Sequence, residues 1–328
     1  MSSNLKISIV TPSFNQGQFL EQTIDSVLSQ NYSNLEYIII DGGSTDNSVE
    51  IIKRYEKHLA YWVSEKDRGQ SHAINKGLQL VTGDIFNWLN SDDYYEPDAL
   101  SIVNENFQDI KTSCFCGRSN LIYPKEKTVQ SNGTDVFDGN LAKTIGWARI
   151  DQPETFFRST AVRKMGGLNQ NLQFIMDKEW WIRYLFLFGL QGIKKTDDKI
   201  VNFRLHENSK TTTSARGFLN ETLQLFAELA SSSNLTSAHD LLSSLASDEP
   251  NCKIYLGKWD NDILSSAIQY TLLYYADYFY YNSQKEISLK CLSLIDRSFI
   301  KSDLELYKKL KFRNKLPSAL TSFLRKNG

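Results

Sequence analysis

The feature that most constrains the fold is the alternation, over residues 6–100, between short, mainly apolar runs and stretches of amphipathic helix. The apolar runs are Ile7–Val10, Tyr37–Ile40, Tyr61–Val63 and Ile85–Leu89. Between them, apolar residues recur at the three- and four-residue spacing of a helix with one buried face. Continuous apolar strands separated by such helices predict a parallel sheet that is covered on both faces.

Polar clusters follow three of these predicted strands. They are Thr11–Asn15, Asp41–Ser44 and Asn90–Asp93. Ligands of open α/β sheets bind at the carboxyl ends of the strands, so we expect the three clusters to converge on one site. Gly42 and Gly43 give the second cluster the backbone freedom that a tight turn near a ligand requires.

The fourth strand ends in an adjacent pair of carboxylates, Asp92 and Asp93. Two such groups repel each other unless a cation lies beside them. Hard oxygen ligands favour Mg²⁺ or Mn²⁺, and such a metal commonly neutralises a phosphate-bearing ligand. The alternative is a surface turn before a helix that begins near Pro97. The position at a strand end, in line with the other two clusters, favours a metal-diphosphate site.

Asp41 ends a buried strand, where an unpaired carboxylate is costly. It either accepts a hydrogen bond from the N–H of a nucleobase or caps the turn at Gly42 and Gly43. Lys66 and Arg68 precede the third predicted helix, where they either neutralise a phosphate or belong to an exposed charged loop. The loop after Asp41 lacks the glycine pattern of dinucleotide binders and the lysine of a P-loop, which disfavours both enzyme classes.

The helix predicted over Asp177–Phe188 begins with Asp177 and Glu179, beside Trp180 and Trp181. The helix dipole alone favours acidic residues in a first turn. The alternative is a sugar pocket in which the tryptophans stack on the sugar and a low dielectric raises the pKa of a carboxyl towards that of a useful base. The spacing does not choose between Asp177 and Glu179 as the base.

His206 follows another predicted strand and is either a hydrogen-bonded structural residue or a ligand. Cys114 and Cys116 form a C-x-C pair without a second pair, so zinc is not expected. The four cysteines fit small core residues in a reducing cytosol. The net charge of −1 argues against a nucleic-acid partner bound through bulk electrostatics.

The chain shows no signal peptide and no apolar run of the roughly 20 residues that cross a bilayer. We therefore expect a cytoplasmic protein, either soluble or peripheral at the inner face of the plasma membrane. The tail from Lys301 interleaves cations with apolar residues, and either lies on an anionic membrane or packs as a solvated helix. Its cations are Lys308, Lys309, Lys311, Arg313, Lys315, Arg325 and Lys326, and its apolar residues include Leu310, Phe312, Leu320, Phe323 and Leu324.

Four segments resemble, in order, the motifs of the inverting glycosyltransferases of family 2. They are Ser8–Asn15, Ile40–Asp46, Asn75–Gly77 and Leu89–Asp93 with Pro97. The resemblance covers about residues 5–210 and implies an α/β GT-A fold, a Rossmann-like mixed sheet, with a C-terminal helical extension. Gln152–Glu154 with Phe156–Arg158 resembles the acceptor-side segment of a bacterial polysaccharide or O-antigen subgroup.

In the family that the chain resembles, the residue matching Asp41 contacts the nucleobase and the residue matching Asp177 acts as base on the acceptor hydroxyl. With the patterns above, this assigns the donor nucleotide to Thr11, Pro12, Phe14, Asn15, Asp41, Gly42, Ser44, Lys66, Asn75 and Ser91. The acceptor sugar is assigned to Gln152, Glu154, Glu179, Trp180 and Trp181. The metal, Mn²⁺ or Mg²⁺, is assigned to Asp92, Asp93 and His206, with Asp92 the main ligand and Asp93 open to a structural role.

Three positions depart from the family pattern. Asn90 replaces an aspartate at the head of the metal motif, so it contributes no charge. Met176 replaces the glutamate of a Glu-Asp pair, so the base rests on Asp177 or Glu179. Ile74 replaces an arginine, so phosphate contacts must come from elsewhere. No Gln-x-x-Arg-Trp motif is present, which disfavours a processive synthase.

The sequence therefore predicts transfer of one sugar from a nucleotide-diphosphate donor to a saccharide or polyprenyl-linked saccharide acceptor. UDP is favoured because Asp41 suits uracil N3–H, although guanine also offers N–H groups. The alternatives are a non-catalytic nucleotide- or carbohydrate-binding module and a sugar nucleotidyltransferase. We expect a transferase domain over residues 1–210, with a nucleotide half (1–100) and an acceptor half (101–210), and a helical region over 211–328. Self-association as a homodimer is left open.

Overall fold

The computed structural model of the protein describes residues 4–124, 127–246, 259–317, 320–321 and 324–325. The chain forms two compact units. The first comprises Met1–Asp135 and Arg149–Ala215, and the second comprises Val136–Ala148 and Arg216–Gly328. The expected domain boundary at residue 210 stays a prediction. The second unit also contains the internal segment Val136–Ala148, which the sequence analysis assigns to the acceptor half. Cys252, Phe323 and Lys326 lie outside the described residues.

The first unit is built on a single mixed sheet. Its strands are β1 (Ile7–Ser13), β2 (Leu35–Asp41), β3 (Tyr61–Ser64), β4 (Ile85–Trp88), β5 (Tyr94–Tyr95), β6 (Cys114–Ile122), β7 (Thr128–Gln130), β8 (Thr155–Arg158) and β9 (Ile193–Arg204). Within the described residues the order is β3-β2-β1-β4-β8-β6-β9-β5, and β7 pairs with β6. The four N-terminal strands are mutually parallel, as the apolar runs predict.

Helices connect the strands and form the second unit. They are α1 (Gly17–Leu28), α2 (Ser48–Tyr55), α3 (Gln70–Leu78), α4 (Ala99–Asn106), α5 (Leu141–Trp147), α6 (Ser159–Met165), α7 (Met176–Phe188), α8 (Lys210–Thr213), α9 (Ala215–Ser232), α10 (Thr236–Leu245), α11 (Asn261–Tyr281), α12 (Lys285–Ser293) and α13 (Leu304–Arg313). Among the described helices, none combines the length and the apolar character needed to cross a membrane.

The second half of the sheet makes it mixed. β8 runs antiparallel to both β4 and β6, whereas β9 is parallel to β6. β6 is one continuous strand, and its register with β9 shifts between Cys116 and Ser119. Gly117 lies at this shift, where an added Cβ would lie 2.8 Å from Ile200, so the close approach of β9 requires a glycine.

The core explains why the N-terminal strands are apolar throughout. Side chains of a strand alternate between two faces, and helices cover both faces here, so both sets are buried. Ile7, Ile9 and Ile39 are fully buried and pack with Ile24 and Val27 of α1. Burial of one such side chain contributes about 1.5–3 kcal/mol, which makes this layer the main support of the strand ends.

A buried carboxylate fixes β1 against β2. Glu36 lies opposite Ser8 in the strand register, and its carboxylate accepts hydrogen bonds from the Ser8 hydroxyl (2.6 Å) and the Lys6 ammonium (2.6 Å). The Thr82 backbone N–H and hydroxyl also donate to it, at 2.7 and 2.5 Å. Burial opposes ionisation, but these donors outweigh it and lower the pKa of Glu36 to about 2.

The second unit packs α5 against α11. Gly146 makes this approach possible, because an added Cβ would lie 2.5 Å from the Ala267 carbonyl oxygen. An ion pair between Lys143 and Asp303 (2.6 Å) is largely enclosed, and the Lys143 ammonium also lies 4.4 Å from the centre of the Phe137 ring. These contacts explain why the internal segment 136–148 groups with the C-terminal helices.

We expect Glu36→Gln to lower the free energy of unfolding at neutral pH by about 1–3 kcal/mol, because the change removes a charge-assisted buried network. Since the pKa of Glu36 in the folded state is about 2, below the usual 4.5, its contribution is complete above pH 4.5 and is lost as the pH falls towards 2. Denaturant titrations at a series of pH values measure this difference. The control is Glu50→Gln, which changes an exposed glutamate of α2. A difference from wild type that stays constant down to pH 2 would contradict the assignment.

Candidate active site

The loops that follow β1 and β2 hold each other at the carboxyl edge of the sheet. The Asn15 side-chain oxygen accepts from the Thr45 backbone N–H (2.8 Å), and the Asn15 N–H donates to the Ser44 hydroxyl (2.8 Å). The Gly42 N–H donates to the Ser13 carbonyl (2.8 Å). Gly43 adopts a φ of +83°, a conformation that favours glycine. The first two polar clusters therefore meet, as predicted.

Asp41 is fully buried and ties this edge together. It accepts hydrogen bonds from the Ser44 N–H (2.9 Å), the Ser44 hydroxyl (2.5 Å) and the Ser64 hydroxyl of β3 (2.7 Å). The turn-capping interpretation is thus present in the structure, and the contact to a nucleobase stays a prediction. Thr11 and Pro12 lie buried in β1 next to it, whereas Phe14 is 58% exposed.

The loop between β3 and α3 brings in a residue that the sequence analysis missed. An added Cβ on Gly42 would lie 2.6 Å from the Asp67 carboxylate, so Asp67 lies directly over the turn after β2. The same carboxylate accepts from the Gly69 N–H (2.8 Å), and Gly69 has a φ of +104°. An Asp-x-Gly pattern that begins three residues after the end of a strand is the sequence signal that would have identified it. Lys66 is exposed on this loop.

The acidic junction after β4 separates its two carboxylates. Asp92 is partly exposed, and its carboxylate lies 3.0 Å from the His206 Nε2 atom. Asp93 is buried, and it accepts from the Arg204 backbone N–H of β9 (2.9 Å). Burial is the main cause that raises the pKa of Asp93 well above its usual value, and the adjacent Asp92 charge is the second. Asp93 is therefore placed as a structural residue that anchors β9, and its assignment as a metal ligand does not fit this arrangement.

His206 is oriented by three contacts. Its Nδ1 atom accepts from the Asn208 backbone N–H (3.3 Å), so a neutral ring carries its proton on Nε2 and donates it to Asp92. The Phe19 ring lies 4.7 Å from the imidazole. Asn90, at the start of the acidic junction, accepts a hydrogen bond through its side-chain oxygen from the Gln70 amide (2.8 Å). His206 thus holds Asp92 in place whether or not it contacts a metal itself.

The Asp92 carboxylate fits a divalent cation here. Within the described residues, no three His, Cys, Asp or Glu side chains converge on one point. Mg²⁺ and Mn²⁺ sites that also bind phosphate need only one or two carboxylates, because substrate oxygens and waters complete the shell. The partly exposed Asp92 carboxylate, oriented by His206, meets that requirement.

The structure distinguishes the two carboxylates that begin α7. Glu179 is buried and forms a two-point ion pair with Arg183, one turn further along the helix, in which Arg183 Nε lies 3.2 Å from the carboxylate. Asp177 accepts from the Lys178 backbone N–H (2.8 Å). Burial raises the pKa of Asp177 to about 6. Glu179 is therefore occupied by Arg183, and the role of Asp177 as the base stays a prediction.

The two tryptophans of α7 correct the predicted sugar platform. Trp180 and Trp181 are completely buried, so neither ring face is open to a sugar. Trp180 donates to the Gly166 carbonyl (2.9 Å) and packs edge-on against Trp88 of β4 (5.5 Å). Trp181 stacks on Tyr184 at 5.3 Å. These rings form the core between α7 and the sheet, and Glu179 is likewise unavailable to an acceptor.

The acceptor-side segment before β8 is also enclosed. The Gln152 amide donates to the Asn87 side chain and the Trp88 carbonyl, both at 2.8 Å. Glu154 is fully buried and accepts from the Ser119 hydroxyl. Burial first, and then the nearby Asp151 charge, raise the pKa of Glu154 to about 8, so its carboxyl is mainly protonated at neutral pH. The direct acceptor contacts predicted for Gln152 and Glu154 require this segment to open.

The loop that precedes α7 is hydrogen-bonded to α3 and to the loop before α3. The Asn75 side-chain NH₂ donates to the Leu168 carbonyl, and the Asn75 side-chain oxygen accepts from the Leu168 backbone N–H, both at 2.8 Å. Arg68 donates to the Gln170 side chain (2.8 Å). Asn75, predicted to contact the donor, therefore positions the segment that leads to Asp177, and a donor contact from its side chain stays a prediction.

The chain is similar in sequence to known glycosyltransferases. The family model described as "Glycosyl transferase family 2" matches residues 8–183. An uncharacterised glycosyltransferase of Rickettsia typhi is 25% identical over 63% of this chain and 66% of its own. The putative teichuronic acid biosynthesis glycosyltransferase TuaG of Bacillus subtilis is 33% identical over 42% of this chain and 58% of its own. Escherichia coli chondroitin synthase is 29% identical over 54% of this chain and 26% of its own. The matched regions thus span about a quarter to two thirds of these relatives.

Solved structures share the fold. S. aureus TarS 1–349 in complex with UDP-GlcNAc has a TM-score of 0.58 and 13% identity, covering 93% of this chain and 90% of that one. The mannosyltransferase PcManGT of Pyrobaculum calidifontis, in complex with GDP-Man and Mn²⁺, has a TM-score of 0.54 and 13% identity over 89% and 74% of the two chains. At this identity the likeness shows a common GT-A fold.

We expect UDP together with Mn²⁺ to stabilise the folded protein, and Asp92→Ala to abolish that stabilisation because the partly exposed carboxylate is lost. Wild type should gain about 2.7 kcal/mol of stability at a ligand concentration of 100 times Kd. Thermal unfolding with UDP, with GDP and with each nucleotide plus EDTA measures this gain. Glu105→Gln, which removes one exposed charge from α4, is the control. An Asp92→Ala variant that responds to UDP and Mn²⁺ like wild type would rule out this ligand.

Proposed function

The chain belongs to glycosyl transferase family 2, and from that premise we propose that it transfers a single sugar from a nucleotide-diphosphate sugar, with inversion at the anomeric carbon. A UDP-sugar is the favoured donor, and a saccharide or lipid-linked saccharide of cell-surface polysaccharide synthesis is the acceptor. The UDP-GlcNAc complex of TarS supports the donor class. The names of TuaG and chondroitin synthase support the acceptor class.

The observation that carries the proposal is the difference between the two carboxylates of α7. Glu179 is buried and Asp177 is half-buried, and the Arg183 guanidinium neutralises only Glu179. Asp177 has a pKa of about 6, close to the pH at which the protein would operate. A general base works best when its pKa lies near the working pH, so Asp177 has the properties that deprotonation of a sugar hydroxyl requires.

In the proposed reaction, Asp177 takes the proton of the acceptor hydroxyl while the hydroxyl oxygen forms a bond to the anomeric carbon. The bond between that carbon and the diphosphate oxygen breaks on the opposite face, and the nucleotide diphosphate leaves with the electron pair. A single displacement of this kind inverts the anomeric centre and needs no enzyme nucleophile. Asp151 lies close enough to raise the pKa of Asp177 further, although burial is the main cause.

The donor would lie along the loops after β1, β2 and β4. Asp41 and Thr11 would lie beneath the nucleobase of the donor. The exposed Lys66 would supply positive charge next to the diphosphate. Mn²⁺ or Mg²⁺ held by Asp92 would offset the negative charge of the leaving diphosphate. His206 fixes the carboxylate of Asp92 through Nε2. A cytoplasmic location, peripheral at the membrane, is part of the proposal because a lipid-linked acceptor would be met there.

Asp177→Asn should lower turnover by about 10²–10⁴-fold, because the amide cannot accept the acceptor proton. Binding of UDP should persist, since the donor loops are unchanged. The matched variant Glu179→Gln should instead destabilise the protein by about 3–5 kcal/mol, because Arg183 loses its buried partner. Release of UDP from UDP-sugars with an oligosaccharide acceptor measures turnover, and denaturant titration measures stability.

Near-normal turnover of Asp177→Asn would reassign the base. No release of nucleotide diphosphate by wild type from any nucleotide sugar, despite nucleotide binding, would favour the non-catalytic binding module instead. Release of pyrophosphate from a nucleoside triphosphate and a sugar phosphate would favour the nucleotidyltransferase.

The pH dependence provides a separate test. Asp177 acts only as a carboxylate, so kcat should fall about tenfold for each pH unit below a pKa of about 6. The measurement is kcat between pH 4.5 and 8 at saturating donor and acceptor. An acid limb near pH 4, the ordinary range of an aspartate, would contradict the proposed environment of Asp177.

A further inference from the structure

We propose that the outer face of α13 docks the protein on an anionic lipid bilayer. Among the described residues, the packing contacts of this helix lie on one side. Tyr307 and Leu310 are buried against its own compact unit, in which α13 packs on α11 and α12. Asn314, immediately after the helix, donates to the Ser288 hydroxyl of α12 (2.9 Å). These residues share one face of the helix, so the opposite face points to solvent.

Phe312 lies on that opposite face and is 64% exposed, which leaves most of an apolar ring in water. Helical spacing places Lys308 and Lys309 one turn before it and Lys315 one turn after it. All three lysines are exposed. The result is one aromatic ring surrounded by three ammonium groups, a pattern typical of helices that lie in a membrane interface.

The local charge is opposite in sign to that of the whole chain. The chain carries a net charge of −1, whereas residues 301–315 contain six basic and two acidic residues. Asp303 is paired with Lys143, and Glu305 is paired with Lys308. Asp277 of α11 also lies near Lys309 and Arg313, but one half-buried carboxylate leaves most of the positive charge of the four basic residues in 309–315 unbalanced. A negatively charged lipid surface complements this excess, and each lysine near such a surface strengthens binding by about fivefold.

The exposed phenylalanine selects a bilayer over a nucleic acid. Cations alone neutralise a phosphate backbone, whereas an apolar ring gains free energy only when it leaves water. Insertion of Phe312 at the level of the lipid headgroups lets the lysines remain beside the phosphates. This surface lies in the second compact unit, so the proposal stands independently of the sugar transfer proposed for the first.

The test uses the full chain in co-sedimentation with phosphatidylcholine vesicles, with and without phosphatidylglycerol. We expect binding only to the anionic vesicles, weakened by salt. The double variant Lys309→Gln with Lys315→Gln should bind about 25-fold more weakly. Phe312→Ser should bind about tenfold more weakly, because the inserted ring is lost. The matched control, Lys53→Gln with Lys57→Gln, removes two exposed lysines of the first unit and should bind like wild type.

Several outcomes would overturn the proposal. They are equal binding to both kinds of vesicle, a Lys309/Lys315 variant that binds like wild type, and a control variant that binds as weakly as the α13 variant. Binding to a labelled DNA duplex at the same salt concentration, without binding to vesicles, would assign the surface to nucleic acid. Thermal unfolding of every variant checks that the fold is intact, and these exposed changes should leave the melting temperature within about 2 °C.

Discussion

The parallel pairing of β1 with β2 is the constraint on which the rest of this protein depends. Its register places Ser13 opposite Asp41, so both strands end at the same level. Helices cover both faces of the sheet, so polar side chains reach solvent or a ligand mainly at the ends of the strands. The buried Glu36 network and the isoleucine layer hold that register. A slip of one residue would move Asp41 away from the turn that it caps.

Burial acts on three carboxyl groups near this edge with different consequences. Asp93, Glu154 and Asp177 all have raised pKa values, with burial as the first cause. Asp93 accepts the Arg204 N–H and so fixes a strand, and Glu154 accepts the Ser119 hydroxyl. Asp177 accepts a local backbone N–H at the start of its helix. A raised pKa therefore identifies a protected carboxyl, and its neighbours decide whether it is structural or reactive.

The sequence predicts what depends on local pattern. The apolar runs and their polar ends identify β1 to β4 and the meeting of the loops after β1 and β2, because strand burial and turn chemistry are read from adjacent residues. Trp180 and Trp181 were misassigned because tryptophans beside a carboxylate suit a sugar pocket and a core equally, and only the position of β4 decides. Asp67 was missed because its importance arises from the distant Gly42. The roles of individual site residues beyond these contacts stay predictions.

The paired hydrogen bonds between Asn75 and Leu168 join positions 93 residues apart in the chain. They connect α3 to the segment that leads into α7, and Arg68, in the loop before α3, reinforces the connection through Gln170. The direction in which the chain enters α7 is therefore set in part by a helix of the N-terminal half. A substitution at Asn75 would alter the start of α7 before it altered the parallel strands beside α3.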